Sequence, residues 1–77
     1  MANTDPINVI AKDKHSVNLY NAVTGNFMRN VYITSGEILG QPVNTGKLCT
    51  ITCMEGGRTL VVVYELPQFR LKNKFNP

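Results

Sequence analysis

The sequence predicts a small all-β domain, built as a barrel or sandwich of five to six short antiparallel strands. Apolar residues do not recur at the three- and four-residue spacing of a helix, and β-branched residues, Asn and Gly interrupt every candidate helical window. Short apolar runs alternate with clusters of Gly, Asn and Pro, which is typical of strands joined by turns. The length of 77 residues suits one domain, 1–77, with a thin hydrophobic core.

The chain starts with a polar arm, 1–6, and we expect the first short strand at Ile7-Asn8-Val9-Ile10 directly after it. The arm has neither the basic nor the apolar region of a signal peptide. No stretch of the sequence approaches the ~18 apolar residues of a membrane span. The sequence therefore predicts a cytoplasmic protein without membrane contact.

A hairpin is predicted next, with strands at 17–20 and 27–33 joined by loop 22–26, in which Gly25 suits a left-handed conformation. Arg29 interrupts the apolar face expected of the second strand, which is formed by Phe27, Val31 and Ile33. Either Arg29 reaches outward at the sheet rim, or a bulge shifts the alternation of the strand.

A loop over residues 35–46 is expected to separate this hairpin from the next one. It holds one short strand around Ile38 and Leu39. It ends in the turn signal Asn44-Thr45-Gly46.

The strongest local signal is Gly56-Gly57, which lies between two apolar runs. Paired glycines favour a two-residue turn with positive φ at both positions, and this turn places Glu55 opposite Arg58 and Cys49 opposite Tyr64. Alternation then assigns one face to the core: Cys49, Ile51, Cys53, Leu60, Val62 and Tyr64. The other face is expected to be half covered and carries Thr50, Thr52, Met54, Thr59, Val61 and Val63. The continuous apolar run 60–64 predicts a central strand.

After Pro67 the sequence predicts a basic C-terminal strand and tail, 70–77. Its apolar side is formed by Phe69, Leu71 and Phe75. Its basic side carries Arg70, Lys72 and Lys74, with about 6.6 Å between successive cations. A tight hairpin and a proline-marked break before the last strand resemble small barrels of the SH3-like or OB-like type, whose closure removes sheet edges.

The sequence offers no set of residues for catalysis. His15 is the only histidine, and the acidic residues are scattered at turns and strand ends, so no nucleophile, base and orienting group come together. Cys49 and Cys53 are about 13 Å apart along a strand, which is roughly twice the reach of a disulfide, and we expect reduced core thiols. They also lack the ligand count of a zinc site. We therefore expect that the protein is not an enzyme and that it binds no metal, cofactor or small-molecule substrate.

The half-covered face of the central hairpin is too apolar for an ordinary exposed surface, and charge is depleted from it, as at subunit contacts. This indicates a structural or adaptor module that works as a subunit of a larger homo- or hetero-oligomeric assembly. A phage particle or another virion is one such assembly. The residues predicted to contact a protein partner are Thr50, Thr52, Met54, Val61 and Val63.

The alternative is a small barrel that binds nucleic acid. A net charge of +3 permits an anionic partner. A row of cations could follow a phosphate backbone while exposed aromatic rings stack on bases. The residues with these roles would be Arg70, Lys72, Lys74, Tyr20 and Tyr32. On a purely structural interpretation, the same lysines protect an edge strand from aggregation.

Overall fold

The structure is a computed structural model that describes residues 6–66 and 68–76. That part of the chain forms eight β-strands, and it contains no helix that could cross a membrane. The strands are β1 (Ile7–Ala11), β2 (Ser16–Asn21), β3 (Phe27–Tyr32), β4 (Glu37–Ile38), β5 (Val43–Thr45), β6 (Leu48–Glu55), β7 (Arg58–Glu65) and β8 (Arg70–Phe75). The predicted arm 1–6 lies outside the described residues except for Pro6.

The strands form two antiparallel sheets, which confirms the all-β, antiparallel prediction. The first sheet has the order β1-β2-β3. The second has the order β4-β6-β7-β8, and β5 pairs with β6 beside β4. In the described part of the chain neither sheet closes on itself, so the likeness to an SH3-like or OB-like barrel stays a prediction. The eight strands exceed the five to six that were expected, and β5 is the one with no counterpart among the predicted segments.

The glycine turn between β6 and β7 confirms the predicted register. Gly56 and Gly57 have φ values of 57° and 77°, as a two-residue hairpin turn of this type requires. Glu55 pairs with Arg58, and the pairing continues without a shift to Leu48 and Glu65. The turn therefore determines which residues of the hairpin point toward the core.

One hydrophobic core joins the two sheets. Cys49, Ile51 and Cys53 on β6 are fully buried, as the alternation predicts. Leu60 and Tyr64, also expected on this face, pack against the core and are partly buried. The core is formed by Ile7, Val9, Val17, Leu19, Ile38, Cys49, Ile51, Cys53, Val62, Leu66 and Phe69. Each sheet thus covers the apolar face of the other and leaves its own opposite face outward.

The first hairpin contains a bulge in β3 that shifts its alternation. Leu19 pairs with Arg29, but Tyr20 pairs with Phe27, so Met28 is the extra residue. The prediction that Phe27 shares a face with Val31 and Ile33 is therefore wrong, because Phe27 lies beside Tyr20 on the outward face. Arg29 lies on the side of Leu19, where its Nη2 donates to the carbonyl oxygen of Gln68 at 2.7 Å. Both suggested features thus occur: the bulge moves Phe27 outward, and Arg29 stays on the side of Val31 and reaches out to Gln68.

The turn between β1 and β2 connects the two sheets. The carbonyl oxygen of His15 accepts hydrogen bonds from the backbone N–H groups of Ile33 and Thr34, at 2.8 and 3.2 Å. The carbonyl oxygen of Lys14 accepts one from Ile38 N at 2.7 Å. These bonds hold the chain after β3 in place as it crosses to β4.

The predicted loop 35–46 contains β4 at the expected place and also β5, which the sequence analysis missed. Val43–Thr45 pairs with Leu48–Thr50 across a turn at Gly46 and Lys47. The predicted turn signal, Asn44-Thr45-Gly46, therefore overlaps the end of β5 and only its glycine lies in the turn. Gly46 has a φ of 57°, which suits this turn. A three-residue strand has too little alternation to be recognised in sequence, and it forms because the long strand β6 offers it an edge.

Candidate functional site

The outward face of the second sheet carries all five residues predicted to contact a protein. Directly paired residues share a face, and the register places Thr52, Val61 and Phe75 in one row across the sheet. A neighbouring row holds Val43, Thr50, Val63 and Asn73. We call this surface the outer face of the second sheet, and its central residues are Val43, Leu48, Thr50, Thr52, Met54, Val61, Val63 and Phe75.

Large apolar side chains on this outer face are open to solvent. Val43 is 59% exposed, Phe75 44% and Met54 40%. The charged residues lie at its margin: Glu37 pairs with Met54 at one end and Glu65 pairs with Arg70 at the other. An apolar centre with a charged rim is the usual composition of a protein contact. Val43 and Phe75 were missed in the sequence analysis, because β5 was not recognised and Phe75 was expected on the other side.

A second bulge, in β8, divides the predicted row of cations. Tyr64 pairs with Leu71 but Val63 pairs with Asn73, so Lys72 is the extra residue. Arg70 pairs with Glu65 on the outer face, whereas Lys74 pairs with Val62 on the side of the core. The prediction that Arg70, Lys72 and Lys74 share one side is therefore wrong for Lys74, since one inserted residue reverses the alternation that follows it.

The cations of β8 are solvent-exposed, as are all six residues of the strand. Lys72 Nζ lies 3.9 Å from Glu65 Oε2, an exposed ion pair of small energetic value. Lys74 extends at the edge of the sheet near the buried thiol of Cys53, whose pKa it lowers slightly against larger opposing effects. The strand thus offers two cations on one side and one on the other.

The two tyrosines proposed to stack on bases lie on the other sheet. Tyr20 and Tyr32 are on the outward face of β1–β3, and Phe27 joins them there through the bulge at Met28. The rings of Tyr20 and Phe27 meet edge to face, with centroids 5.8 Å apart. The structure therefore brings Tyr20 and Phe27 together, and it places both tyrosines on a different sheet from the cations of β8.

His15 and its neighbours form a turn. Asp13 Oδ1 accepts hydrogen bonds from His15 N at 2.8 Å, Ser16 N at 2.9 Å and Ser16 Oγ at 3.1 Å. The bond from the His15 backbone is the largest of the effects that lower the pKa of Asp13. The carboxylate thus organises the backbone of the turn through which the first sheet meets β4.

The two thiols are buried and free. Burial raises the pKa of Cys49 to about 11. Burial, followed by the nearby charge of Glu55, also raises the pKa of Cys53. Both side chains are therefore protonated at neutral pH, the state in which a thiol is a poor nucleophile and metal ligand. Within residues 6–66 and 68–76, His, Cys, Asp and Glu side chains form no group of three or more that could hold a metal.

Comparison with known proteins adds no further assignment to this geometry. The chain matches no protein-family model, no curated protein and no solved structure.

Proposed function

We propose that this chain is a non-enzymatic structural or adaptor module that works as a subunit of a larger assembly. The observation that carries the proposal is the outer face of the second sheet, where Val43, Met54 and Phe75 expose 40–59% of their surface around a centre without charged residues. The assemblies that we propose include a phage particle or another virion.

The size of this face supports a binding role. The face is four neighbouring strands wide and about seven residues long along β6 and β7, which gives a flat area on the order of 400 Å². Patches of that size are the largest found on typical monomers and often have a function. A specific contact buries about 800 Å² of accessible surface on each partner, about twice this flat area, so the contact would have to cover the whole outer face and extend past its margin.

Thr50 and Thr52 fit such a contact better than charged residues would. Each hydroxyl can donate and accept a hydrogen bond, and the desolvation cost of a hydroxyl is far below that of a charge. Each threonine also carries a methyl group, and the register places Thr50 and Thr52 beside Val43, Val61 and Val63. Water can therefore be excluded from this face by a partner without burying an unpaired charge.

Self-association is the form of this proposal that can be measured on the purified chain. We expect an oligomer by sedimentation equilibrium, with an unfolding free energy that falls on dilution because dissociation and loss of stability are linked. Met54→Glu places a charge in the contact and should shift the chain toward monomer. The matched control is Met28→Glu, which changes a methionine of similar exposure, 48%, on the first sheet.

Two outcomes would contradict this proposal. One is a chain that stays monomeric, with a constant unfolding free energy, across the micromolar range and with every candidate partner subunit. The other is an oligomer that responds equally to Met54→Glu and Met28→Glu.

The alternative proposal is a nucleic-acid-binding module that uses β8. The exposure of the whole strand favours it, and the separation of Lys74 from Arg70 weighs against a continuous cationic row. Its test is the affinity for single-stranded oligonucleotides as salt is varied. Replacing Arg70, Lys72 and Lys74 with Ala should lower the affinity and flatten the slope of log K against log salt. An absence of binding at low salt would refute this alternative.

A further inference from the structure

The outward face of the first sheet has a different composition from that of the second. Aromatic and amide side chains dominate it, and its exposed members include Tyr32, 65% exposed, and Phe27, 57% exposed. We call it the aromatic–amide face, and its residues are Asn8, Ile10, Asn18, Tyr20, Phe27, Asn30 and Tyr32. The core requires none of these rings, because Val17 and Leu19 on the opposite side of β2 already fill it.

The amides in the centre of this face are held in place by one another. Asn30 Nδ2 donates to Asn18 Oδ1 at 3.0 Å and to the carbonyl oxygen of Val17 at 3.0 Å. Asn18 Nδ2 lies 3.4 Å from the hydroxyl oxygen of Tyr20, to which it donates. These bonds orient polar groups on a flat surface before any ligand arrives, which reduces the entropy cost of binding.

The outward strand positions of this face carry no charged side chain. The one cation within β1–β3 is Arg29, which pairs with Leu19 on the opposite side of the sheet and donates to the carbonyl oxygen of Gln68. A ligand rich in phosphate would find no partner for its charge on these strands. The charge pattern therefore favours a neutral ligand.

The mixture of rings and amides selects among neutral ligands. A purely apolar partner would bury the amides of Asn18 and Asn30 without replacing their contacts with water, which is costly. A ligand that suits both groups presents flat C–H surfaces to the rings and hydroxyl groups to the amides. Pyranose sugars have both properties, because one ring carries an apolar face and a rim of hydroxyls.

The spacing of the rings suits a chain of such units. Phe27 and Tyr32 pair with Tyr20 and Ser16, four residues apart on β2, so the two aromatic positions are about 13 Å apart. Asn30 lies between them. We propose that the aromatic–amide face binds a neutral oligosaccharide, with sugar rings stacked on Phe27 and Tyr32 and hydroxyl groups hydrogen-bonded to the asparagines.

The test uses the intact chain and three defined probes: maltohexaose, cellohexaose and the hexamer of N-acetylglucosamine. We expect saturable binding of at least one probe by calorimetry, and an affinity that stays the same from low to high salt. Tyr32→Ala should weaken it about tenfold by removing one stacking platform, and Tyr32→Phe should preserve it. The matched control is Phe75→Ala, an exposed aromatic residue of the second sheet, which should leave sugar binding unchanged.

Several results would overturn the proposal. They are a folded chain that binds none of the three probes at millimolar concentration, equal weakening by Tyr32→Ala and Phe75→Ala, and Tyr32-dependent binding of an oligo(dT) probe that replaces sugar binding. The last result would assign the face to nucleic acid. Since Met54→Glu tests the second sheet alone, failure of sugar binding is distinguishable from failure of the proposed subunit contact.

Discussion

The ring of Tyr64 stacks on the ring of Phe69, with centroids 4.2 Å apart and planes 10° from parallel. Phe69 lies in the turn between β7 and β8, and its φ of 61° is in the left-handed region, which costs a non-glycine residue about 1–2 kcal/mol. Phe69 is also part of the hydrophobic core. Burial and stacking thus hold this turn in an unfavourable backbone conformation, and the turn fixes where β8 begins.

The first prediction separates the strain of Phe69 from its packing. Phe69→Ala and Phe69→Gly should both lose about 3 kcal/mol of unfolding free energy with the buried ring. Glycine tolerates the positive φ, so Phe69→Gly should be the more stable of the two by about 1 kcal/mol. Urea unfolding measures both. At Leu71, within β8, the order should reverse, with Leu71→Ala above Leu71→Gly, and the same order at both sites would contradict the strain.

The second prediction concerns Gly36, which lies against the backbone of β6. A Cβ atom at Gly36 would lie 2.0 Å from the carbonyl oxygen of Met54, and backbone atoms cannot move aside as a flexible side chain can. We expect Gly36→Ala to destabilise the chain by about 3 kcal/mol or to prevent folding. Ser35→Ala, one residue earlier and exposed, is the control and should have little effect. Thermal unfolding of the two variants side by side tests this, and equal stability would refute the contact.

The third prediction concerns the buried hydroxyl of Thr34. It donates to Glu55 Oε2 and accepts a hydrogen bond from Gly36 N at 2.9 Å, while Thr34 is only 2% exposed. Thr34→Val keeps the shape and leaves both partners unsatisfied, which should cost about 1–3 kcal/mol. Thr59→Val, on an exposed position of β7, should be neutral by the same urea measurement. A loss at Thr34 no larger than at Thr59 would show that the bonds carry no net stability.

The fourth prediction is a pH dependence at Asp13. Hydrogen bonds, first from the His15 backbone, lower the folded-state pKa of Asp13 below its ordinary value of 3.8. The unfolded chain therefore binds a proton at higher pH than the folded chain, so this contribution is present above the ordinary pKa and is lost as the pH falls below about 4. Asp13→Asn keeps an acceptor oxygen but does not titrate. The stability difference between wild type and Asp13→Asn should change from pH 6 to the acid range, and a constant difference would contradict the linkage.

The fifth prediction concerns the thiols of Cys49 and Cys53. Both are buried in the core that joins the sheets, and burial raises both pKa values. At mildly alkaline pH a thiol reagent should not react with the folded chain beyond the rate of its opening, and it should titrate two thiols in urea. Thr59→Cys, an exposed position, should add one thiol that reacts at once. Rapid reaction of either native thiol in the folded chain would show that the two sheets do not pack as described.

The sequence by itself determined the strand pattern and the register of the central hairpin. Gly56 and Gly57 can adopt the positive φ values of a two-residue turn, and that turn fixes every pair from Glu55–Arg58 to Leu48–Glu65. Alternation along β6 then identified Cys49, Ile51 and Cys53 as core. These features follow from local chemistry, because the geometry of the turn and the alternation of side chains along a strand both depend on residues that are close in sequence.

Only the tertiary structure decided which residues of β3, β5 and β8 join the outward faces. The bulges at Met28 and Lys72 each add one residue to a strand, which moves Phe27 outward and separates Lys74 from Arg70. An extra residue leaves no clear mark in a short strand, since its position depends on how the neighbouring strand and the core are packed. The pairing of β5 with β6 depends likewise on an edge formed by distant residues. The hairpin could therefore be predicted from residues close in sequence, whereas the full membership of the two candidate binding surfaces depends on how distant strands are aligned.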